Sequence, residues 1–299
     1  MNPTLVLLAA GMGSRYGGPK QIDPVGPGGA TLIDYAAFDA RRVGFDRLVR
    51  VVRSENEAAV REVVARGLGR HLQVDFAVQD AALPAGFRPP AGRTKPWGTG
   101  HALLAAAPSL DGPCAVLNAD DFYGAGTYRI LADWLGAPRP ASEHALVSFA
   151  LRTTLSPAGP VNRGICEVDE RGLLRGIREV LEIEGDGRDA HYPGPSGDTV
   201  RVAGETPVSL NFWGFGPDIV PALEASFDSF LAEHGSSTKA ELFLPEIVQA
   251  LIDRGDARVH LLPGGGPWAG LTYPEDRPHL VAVLEERTAR GAYPRDLWR

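Results

Sequence analysis

Apolar residues fall along the first half of the chain in short runs separated by amphipathic stretches, the pattern of strands alternating with helices. Residues 4–10 (TLVLLAA) form a continuous apolar run ending at a glycine, as expected of a central parallel strand covered on both faces. A helix is predicted from Thr31, whose hydroxyl can cap it, through LIDYAAFDARRV to a stop at Gly44. After a strand at 47–53, Ser54 and Glu57 make a capping-box pattern that opens a helix running toward Gly67 and Gly69. A strand at 72–78, a helix at 99–107, a strand at 114–118 and a helix at 127–136 continue the alternation. Such βαβα order predicts an α/β fold: a doubly wound, mostly parallel sheet that binds ligands beyond the carboxyl ends of its strands. The loops after residues 10, 79 and 118 should then share one crevice.

From about residue 145 the alternation weakens. Strands are predicted at 145–151, 164–168, 173–179, 207–213 and 257–262, with helices near 217–233, 241–254 and 275–290. The polar, glycine- and proline-rich stretch EGDGRDAHYPGPSGD (184–198) reads as an exposed loop or hairpin tip. Residues 80–98 carry four prolines and are long for a connection, which marks them as a candidate functional lid. No internal repeat is found. A single αβα domain over 1–299 is expected, with 1–140 and 141–299 forming the two walls of a cleft and no clean linker between them.

Composition narrows the function. With 299 residues, 44% hydrophobic and 22% charged, the chain is an ordinary globular one, and no run approaches the roughly 18 apolar residues of a membrane span. The apolar stretch near the start has no basic residue before it and runs into Gly11 and Arg15, so a cytoplasmic protein without a secretory signal is expected. A net charge of -7 and the lack of a lysine-arginine stripe argue against nucleic-acid binding, so any anion site must be local. Cys114 and Cys166 lie far apart with no partner spacing and read as buried reduced thiols. The seven histidines are scattered, which disfavours a histidine-ligated metal.

One loop carries chemistry. In LLAAGMGSRYGGPKQ (7–21), Arg15 and Lys20 sit in a glycine-rich segment directly behind a strand. Cations there, beside backbone N–H groups that face the crevice, suit a chain of phosphates. The Walker pattern fails, because Lys20 follows proline and precedes Gln21. The dinucleotide fingerprint fails as well, with Tyr16 where its third glycine belongs.

The pattern L-A-A-G-x-G-S-R followed by P-K resembles that of the sugar-1-phosphate nucleotidyltransferases, the NDP-sugar pyrophosphorylase family, and the resemblance runs from residue 4 to about 276. It implies a Rossmann-like nucleotidyltransferase αβα sandwich in which Leu8, Ala9, Ala10, Gly11, Gly13 and Ser14 wrap a nucleoside triphosphate and Arg15 and Lys20 neutralise its phosphates. Gln79 and the Gly98-Thr99 pair of PWGTGHA are similar to the family's base-reading elements, although Gly98-Thr99 also reads as a simple helix cap. LNADDFYG (117–124) resembles the segment whose aspartate binds catalytic Mg2+. Because successive strand side chains point opposite ways, only one of Asp120 and Asp121 should enter the site, and the alignment favours Asp120. VNRGICEV, IREV and VSLNFWGF resemble the sugar-gripping elements, placing Gly164, Glu179 and Asn211 on the sugar.

Two departures stand out. Val180 occupies the place of a family lysine that holds the sugar phosphate, leaving Arg163, Arg178 or Lys95 to substitute. In WAGLTYPED (268–276), Gly270 occupies the place of the aspartate that gives the metal its second ligand, so Asp120 works with water and phosphate oxygens, or Asp121 or Asp276 fills in. The implied reaction joins a nucleoside triphosphate, UTP or dTTP favoured, to a sugar 1-phosphate, with Mg2+ as cofactor and association of copies through the second half as a further expectation. A cytidylyltransferase acting on a phospho-alcohol such as phosphocholine, and a nucleotide-sugar-binding regulator without turnover, remain alternatives.

Overall fold

Five uncharged residues, TLVLL, make β1 (Thr4–Leu8) in the middle of a sheet whose two faces are both covered. The computed structural model describes residues 3–9, 23–81 and 83–299. Leu5 and Leu7 enter the core on one face and Val6 the core on the other, as the pleat requires. Next in the chain is α1 (Leu32–Arg42), entered through a capping box in which Asp34 N donates to Thr31 Oγ1 at 3.3 Å and Thr31 N donates to Asp34 Oδ2 at 2.8 Å. The first half continues with β2 (Arg47–Val52), α2 (Glu57–Arg66), β3 (Gln73–Val78), α3 (Thr99–Ala106), β4 (Cys114–Asn118), β5 (Asp121–Phe122) and α4 (Ala125–Gly136). Strands β3, β2, β1 and β4 lie side by side, all parallel.

The capping box expected from Ser54 and Glu57 does not form. Helix α2 begins at Glu57 behind Asn56, whose Oδ1 accepts from Arg53 N at 3.2 Å, while Ser54 N donates to Asp80 Oδ1 at 2.9 Å and ties this turn to the end of β3.

The second half contributes β6 (Glu143–Ala150), β7 (Val161–Val168), β8 (Leu174–Asp186), β9 (Asp189–Pro193), β10 (Thr199–Val202), β11 (Pro207–Phe215), α5 (Ile219–His234), α6 (Leu244–Arg254), β12 (Arg258–Pro263), β13 (Ala269–Gly270) and α7 (Arg277–Ala289). Eleven strands join into one mixed sheet of order β10-β9-β8-β7-β11-β4-β1-β2-β3, with β6 and β12 pairing off β11. The polar stretch 184–198 is strand over much of its length, the end of β8 and all of β9. Its apolar positions are few because this antiparallel arm covers only a small core of Leu151, Val161, Val180, Ile183, Ala190 and Val208. The two-residue strands β5 and β13 pair separately, too short to leave a periodic signal.

Helices α1, α2 and α4 pack one face through Ile33, Val60 and Leu131, and α3, α5 and α6 pack the other through Leu103, Phe227 and Ile247. None of the described helices is long and apolar enough to cross a membrane. Cys114 and Cys166 are buried and free, and burial pushes both thiols up to about 12.

The chain's end clamps α1. Tyr293 meets Tyr35 edge-on at 5.0 Å and Phe122 at 6.0 Å, and its hydroxyl donates to Asp39 Oδ2 at 2.7 Å. Trp298 stacks on His71 and donates from Nε1 to Asp34 Oδ1 at 2.9 Å. Asp39 is fully buried, and its Oδ1 has no hydrogen-bond partner among the described residues. Desolvation raises its carboxyl to about 7, and the Tyr293 hydrogen bond only partly opposes this.

A raised carboxyl favours the protonated native state, so the contribution of Asp39 to folding stability should be most favourable at acid pH and be lost as pH rises from about 4 through about 7. The full penalty is on the order of a few kcal/mol. Asp39→Asn should remove it: in urea unfolding the variant gains on the parent at pH 8 and the gain shrinks at pH 5. An equal difference at both pH values would refute this account.

Candidate active site

The site lies where β11 changes neighbours. Val208 and Ser209 pair with β7, whereas Trp213, Gly214 and Phe215 pair with β4, and against β6 the register shifts between Ser209 and Phe212. Leu210 and Asn211, in between, have no ladder partner in β7 or β4. Asn211 takes the left-handed conformation, φ 57°, a costly one for a residue other than glycine. Local bonds hold it there. Its N–H donates to Ser209 Oγ at 3.2 Å, its Oδ1 accepts from Trp213 Nε1 at 3.3 Å, and its Nδ2 donates to Asn118 Oδ1 at 3.5 Å. The Tyr123 hydroxyl donates to the Leu210 carbonyl at 2.7 Å, accepts from Asn118 N and lies 3.2 Å from Asp121 Oδ2.

A cavity of about 990 Å³ opens at this point. Asn118, Asp120 and Asp121 line it from the end of β4, and Gly164, Glu179 and Asn211 line it from the second half. Both aspartates face it, against the expectation that one would turn away. The reason is local: β4 ends at Asn118 and β5 starts at Asp121, so residues 119 and 120 form a turn in which strand alternation does not hold. Asn118 Nδ2 donates to Asp121 Oδ2 at 3.1 Å and orients that carboxylate.

Gly270 sits directly across from Asp121 in the β5–β13 pair. A Cβ built on it would lie 2.3 Å from the Trp268 ring and 2.6 Å from Asp121 Oδ1. A side chain at 270 is therefore excluded, and the Asp121 carboxylate stands at the place it would enter. Asp276 is otherwise engaged: its Oδ1 accepts from Ser156 Oγ at 2.6 Å, and its Oδ2 accepts from the N–H groups of Thr272 and Tyr273. It closes a turn rather than facing the cavity. Among the described residues no group of three or more histidine, cysteine or carboxylate side chains is arranged to hold a metal. The Asp120 and Asp121 pair nevertheless suits an ion that takes one or two carboxylates and completes its shell with water and phosphate.

On the wall from the second half, Gly164 pairs with Glu179 on one edge and Ser209 on the other, and a Cβ there would meet Ile177 and Ser209 at 3.3 Å. Desolvation raises the Glu179 carboxyl, and the nearby Arg163 cation opposes the rise. Thr99 also lines the cavity, but Gln79, Gly98, Leu8 and Ala9 do not. Ala10, Gly11, Gly13, Ser14, Arg15 and Lys20 lie outside the described residues.

The Gln79, Gly98 and Thr99 group works as a latch. Buried Gln79 donates from Nε2 to the Gly98 carbonyl at 2.9 Å. Gly98 has φ 97°, and a Cβ on it would lie 2.3 Å from the Leu242 carbonyl oxygen. Thr99 Oγ1 accepts from Leu244 N at 2.8 Å, so it caps α6 rather than its own helix. The stretch considered as a lid is tied to the same place: Arg93 lies 3.3 Å over the Trp97 ring and donates to the carbonyls of Ser237 and Ala240, while Lys95 pairs with Glu241.

Several cavity residues were not singled out by sequence, among them Asn118, Asn162, Trp268 and Phe243. Asn118, the polar residue that ends an apolar strand, carried a readable signal. Phe243 and Leu181 did not, because an exposed apolar side chain at a cavity mouth is indistinguishable in sequence from a core one.

Residues 5–133 match the model of the MobA-like NTP transferase domain. Three solved structures share the fold over nearly all of both chains. They are an inositol-1-phosphate CTP transferase from T. maritima (14% identity, TM-score 0.63, covering 95% of this chain and 97% of the other); a glucose-1-phosphate thymidylyltransferase described as putative, from Bacillus anthracis (13%, 0.62, 96% and 96%); and a UDP-glucose pyrophosphorylase (15%, 0.60, 96% and 100%). No curated protein sequence matches significantly. The chain has a nucleotidyltransferase-type α/β fold. Over 5–133 it is similar to the MobA-like NTP transferase domain, and over nearly its whole length it shares the fold of these solved structures.

The latch should be measurable in stability. Thr99→Val removes the cap of α6 and should cost about 1 kcal/mol. Gly98→Ala should cost more, because it adds backbone strain to a 2.3 Å clash. Urea unfolding of both variants checks this, and the reverse order would show that the 98–99 contact with 242–244 does not hold α6.

Proposed function

We propose that the protein transfers a nucleotidyl group from a nucleoside triphosphate, UTP or dTTP favoured, to a sugar 1-phosphate. The supporting observation is that Asp120 and Asp121, at the carboxyl end of the parallel strands, face Gly164, Glu179 and Asn211 across one cavity. A phosphate oxygen of the acceptor attacks the α-phosphorus in line. The bond from that phosphorus to the oxygen bridging to the β-phosphate breaks, and pyrophosphate leaves with the electron pair. The acceptor phosphate is already ionised near neutral pH, so no general base is required. What the reaction needs is positioning and relief of repulsion between two anions.

The residues divide the work. Ala10, Gly11, Gly13 and Ser14, with Thr99 at the cavity, form the nucleotide side within 1–140, which Leu8, Ala9, Gln79 and Gly98 support from outside the cavity lining; Gly164, Glu179 and Asn211 form the sugar side within 141–299. Arg15 and Lys20 neutralise triphosphate charge. Asp120, with Asp121 beside it, would hold Mg2+, which when bound offsets charge on the phosphates. Glu179, an exposed carboxyl in the cavity lining, is suited to hydrogen-bond sugar hydroxyls. The glycine at 270 packs against Trp268 and Asp121, so the Asp121 carboxylate stands in the space a side chain there would take. Of the structural relatives one is a thymidylyltransferase, another a UDP-glucose pyrophosphorylase and a third a CTP transferase, so the preference for dTTP or UTP rests on the resemblance of Gln79 and Gly98-Thr99 to base-reading elements. The two free thiols suit a reducing compartment, and we place the reaction in the cytoplasm.

The test is a matrix of nucleoside triphosphates against sugar 1-phosphates and phospho-alcohols with Mg2+, read by pyrophosphate release. Release should require both substrates, and Asp120→Asn and Lys20→Ala should each lower turnover by about 10²- to 10³-fold with folding intact. Turnover confined to CTP with phosphocholine would reassign the acceptor. Nucleotide-sugar binding with no release from any pair would sink the enzymatic reading.

A further inference from the structure

Arg163, on β7, is 8% exposed and lies in the cavity wall. Its Nε donates to Thr154 Oγ1 at 3.1 Å, its Nη1 to the Asn162 carbonyl at 2.8 Å and its Nη2 to the Thr154 carbonyl. A guanidinium has five N–H donors, so these bonds leave one on each terminal nitrogen. All the acceptors are neutral. The carboxylates that act on Arg163, Asp121 first and then Glu179 and Asp276, do so through space and form no ion pair with it among the described residues. A cation taken out of water without a counter-ion is unfavourable unless an anion arrives.

Its position indicates which anion. Arg163 pairs across the sheet with Val180, and its neighbour Gly164 pairs with Glu179. The cation therefore feels both Asp121 of the nucleotide side and Glu179 of the sugar side. The Trp268 ring, 5.0 Å from the guanidinium carbon, backs it. The other candidates are placed differently. Arg178 also lines the cavity, but it is exposed and donates to the Tyr192 hydroxyl at 3.2 Å, and Lys95 is paired with Glu241 outside the cavity.

We propose that Arg163 is the anchor for the acceptor's phosphate, its two remaining N–H groups gripping the phosphate of the sugar 1-phosphate and holding it between Glu179 and the paired aspartates. Thr154 and Asn162 fix the guanidinium in advance, so little ordering is needed on binding. This inference rests on the nucleotidyl-transfer reading, and it separates the acceptor's phosphate from the triphosphate, which the loop bearing Arg15 and Lys20 serves.

The experiment is steady-state kinetics of Arg163→Gln by pyrophosphate release, with the acceptor that the substrate matrix selects. The acceptor KM should rise about 10- to 100-fold while the triphosphate KM stays within about twofold. An unchanged acceptor KM in a folded variant, or an equal rise for both substrates, overturns the proposal. If Arg163→Gln does not fold, Arg163→Lys decides: it keeps the charge but not the fork, and a several-fold rise confined to the acceptor supports the anchor, whereas none refutes it. If the matrix yields no turnover, the nucleotidyl-transfer reading fails on its own. Calorimetric titration with glucose 1-phosphate and with glucose then tests the anchor: binding that needs the phosphate and is lost in Arg163→Gln supports it, and binding retained in the variant, or absent from the parent, refutes it.

Discussion

A β-strand must satisfy hydrogen-bonding groups along both edges, and β11 cannot do so continuously because its partner changes from β7 to β4. The interruption leaves Leu210 and Asn211 without a ladder on that side. Their polar groups are met instead by the Tyr123 hydroxyl and by Ser209 Oγ. The gap is where the cavity opens, so the parallel nucleotide half and the antiparallel arm meet at an unpaired stretch of backbone and not at a sealed interface. Asn211 keeps its left-handed conformation because three side-chain contacts hold it, and the same contacts fix Asn118 beside Asp121.

Close approach explains the rest of the site's architecture. At Gly270 the Trp268 ring and the Asp121 carboxylate fill the volume of a side chain, and at Gly98 the Leu242 carbonyl does. The first contact seats the Asp121 carboxylate against β13, just beyond the end of β4. The second seats the start of α6 against α3, with Thr99 supplying the cap and Arg93 fastening the proline-rich connection to the same segment. The outcome is a cavity whose lining mixes polar groups such as Asn118, Asp121 and Asn211 with apolar ones, among them the exposed Phe243 and Leu181. In a chain of net charge -7, a cavity bearing Asp120, Asp121 and Glu179 holds an anionic substrate only through locally placed cations, and Arg163 is one fixed in place by neutral acceptors.

The alternating order of the first half was legible because a parallel strand covered on both faces must be apolar throughout, and Thr31 and Gly44 mark their helix for stereochemical reasons. The second half was less so. Strands β9 and β10 cover only a small core and carry polar side chains elsewhere, and β5 with β13 is too short for any period. The Ser54 and Glu57 pattern misled because Asp80 took the Ser54 N–H that a capping box would use and the helix began at Glu57 behind Asn56. Thr99, Asp120, Gly164, Glu179 and Asn211 do converge on one cavity, whereas Gln79 and Gly98 turned inward to hold a neighbouring segment.

The amino-acid order alone determined the βαβ alternation, the glycine-rich cationic loop behind the first strand and the acidic turn after the fourth, because each follows from near neighbours and from the solvent's rejection of apolar surface. It could not determine that Asp121 stands where a side chain at 270 would enter, that Thr99 caps a helix 145 positions away, or that Arg163 lies buried beside Glu179 with neutral partners only. Those are contacts between segments distant in the chain. Only the register of β11 against β4, β6 and β7 brings them within reach of one another.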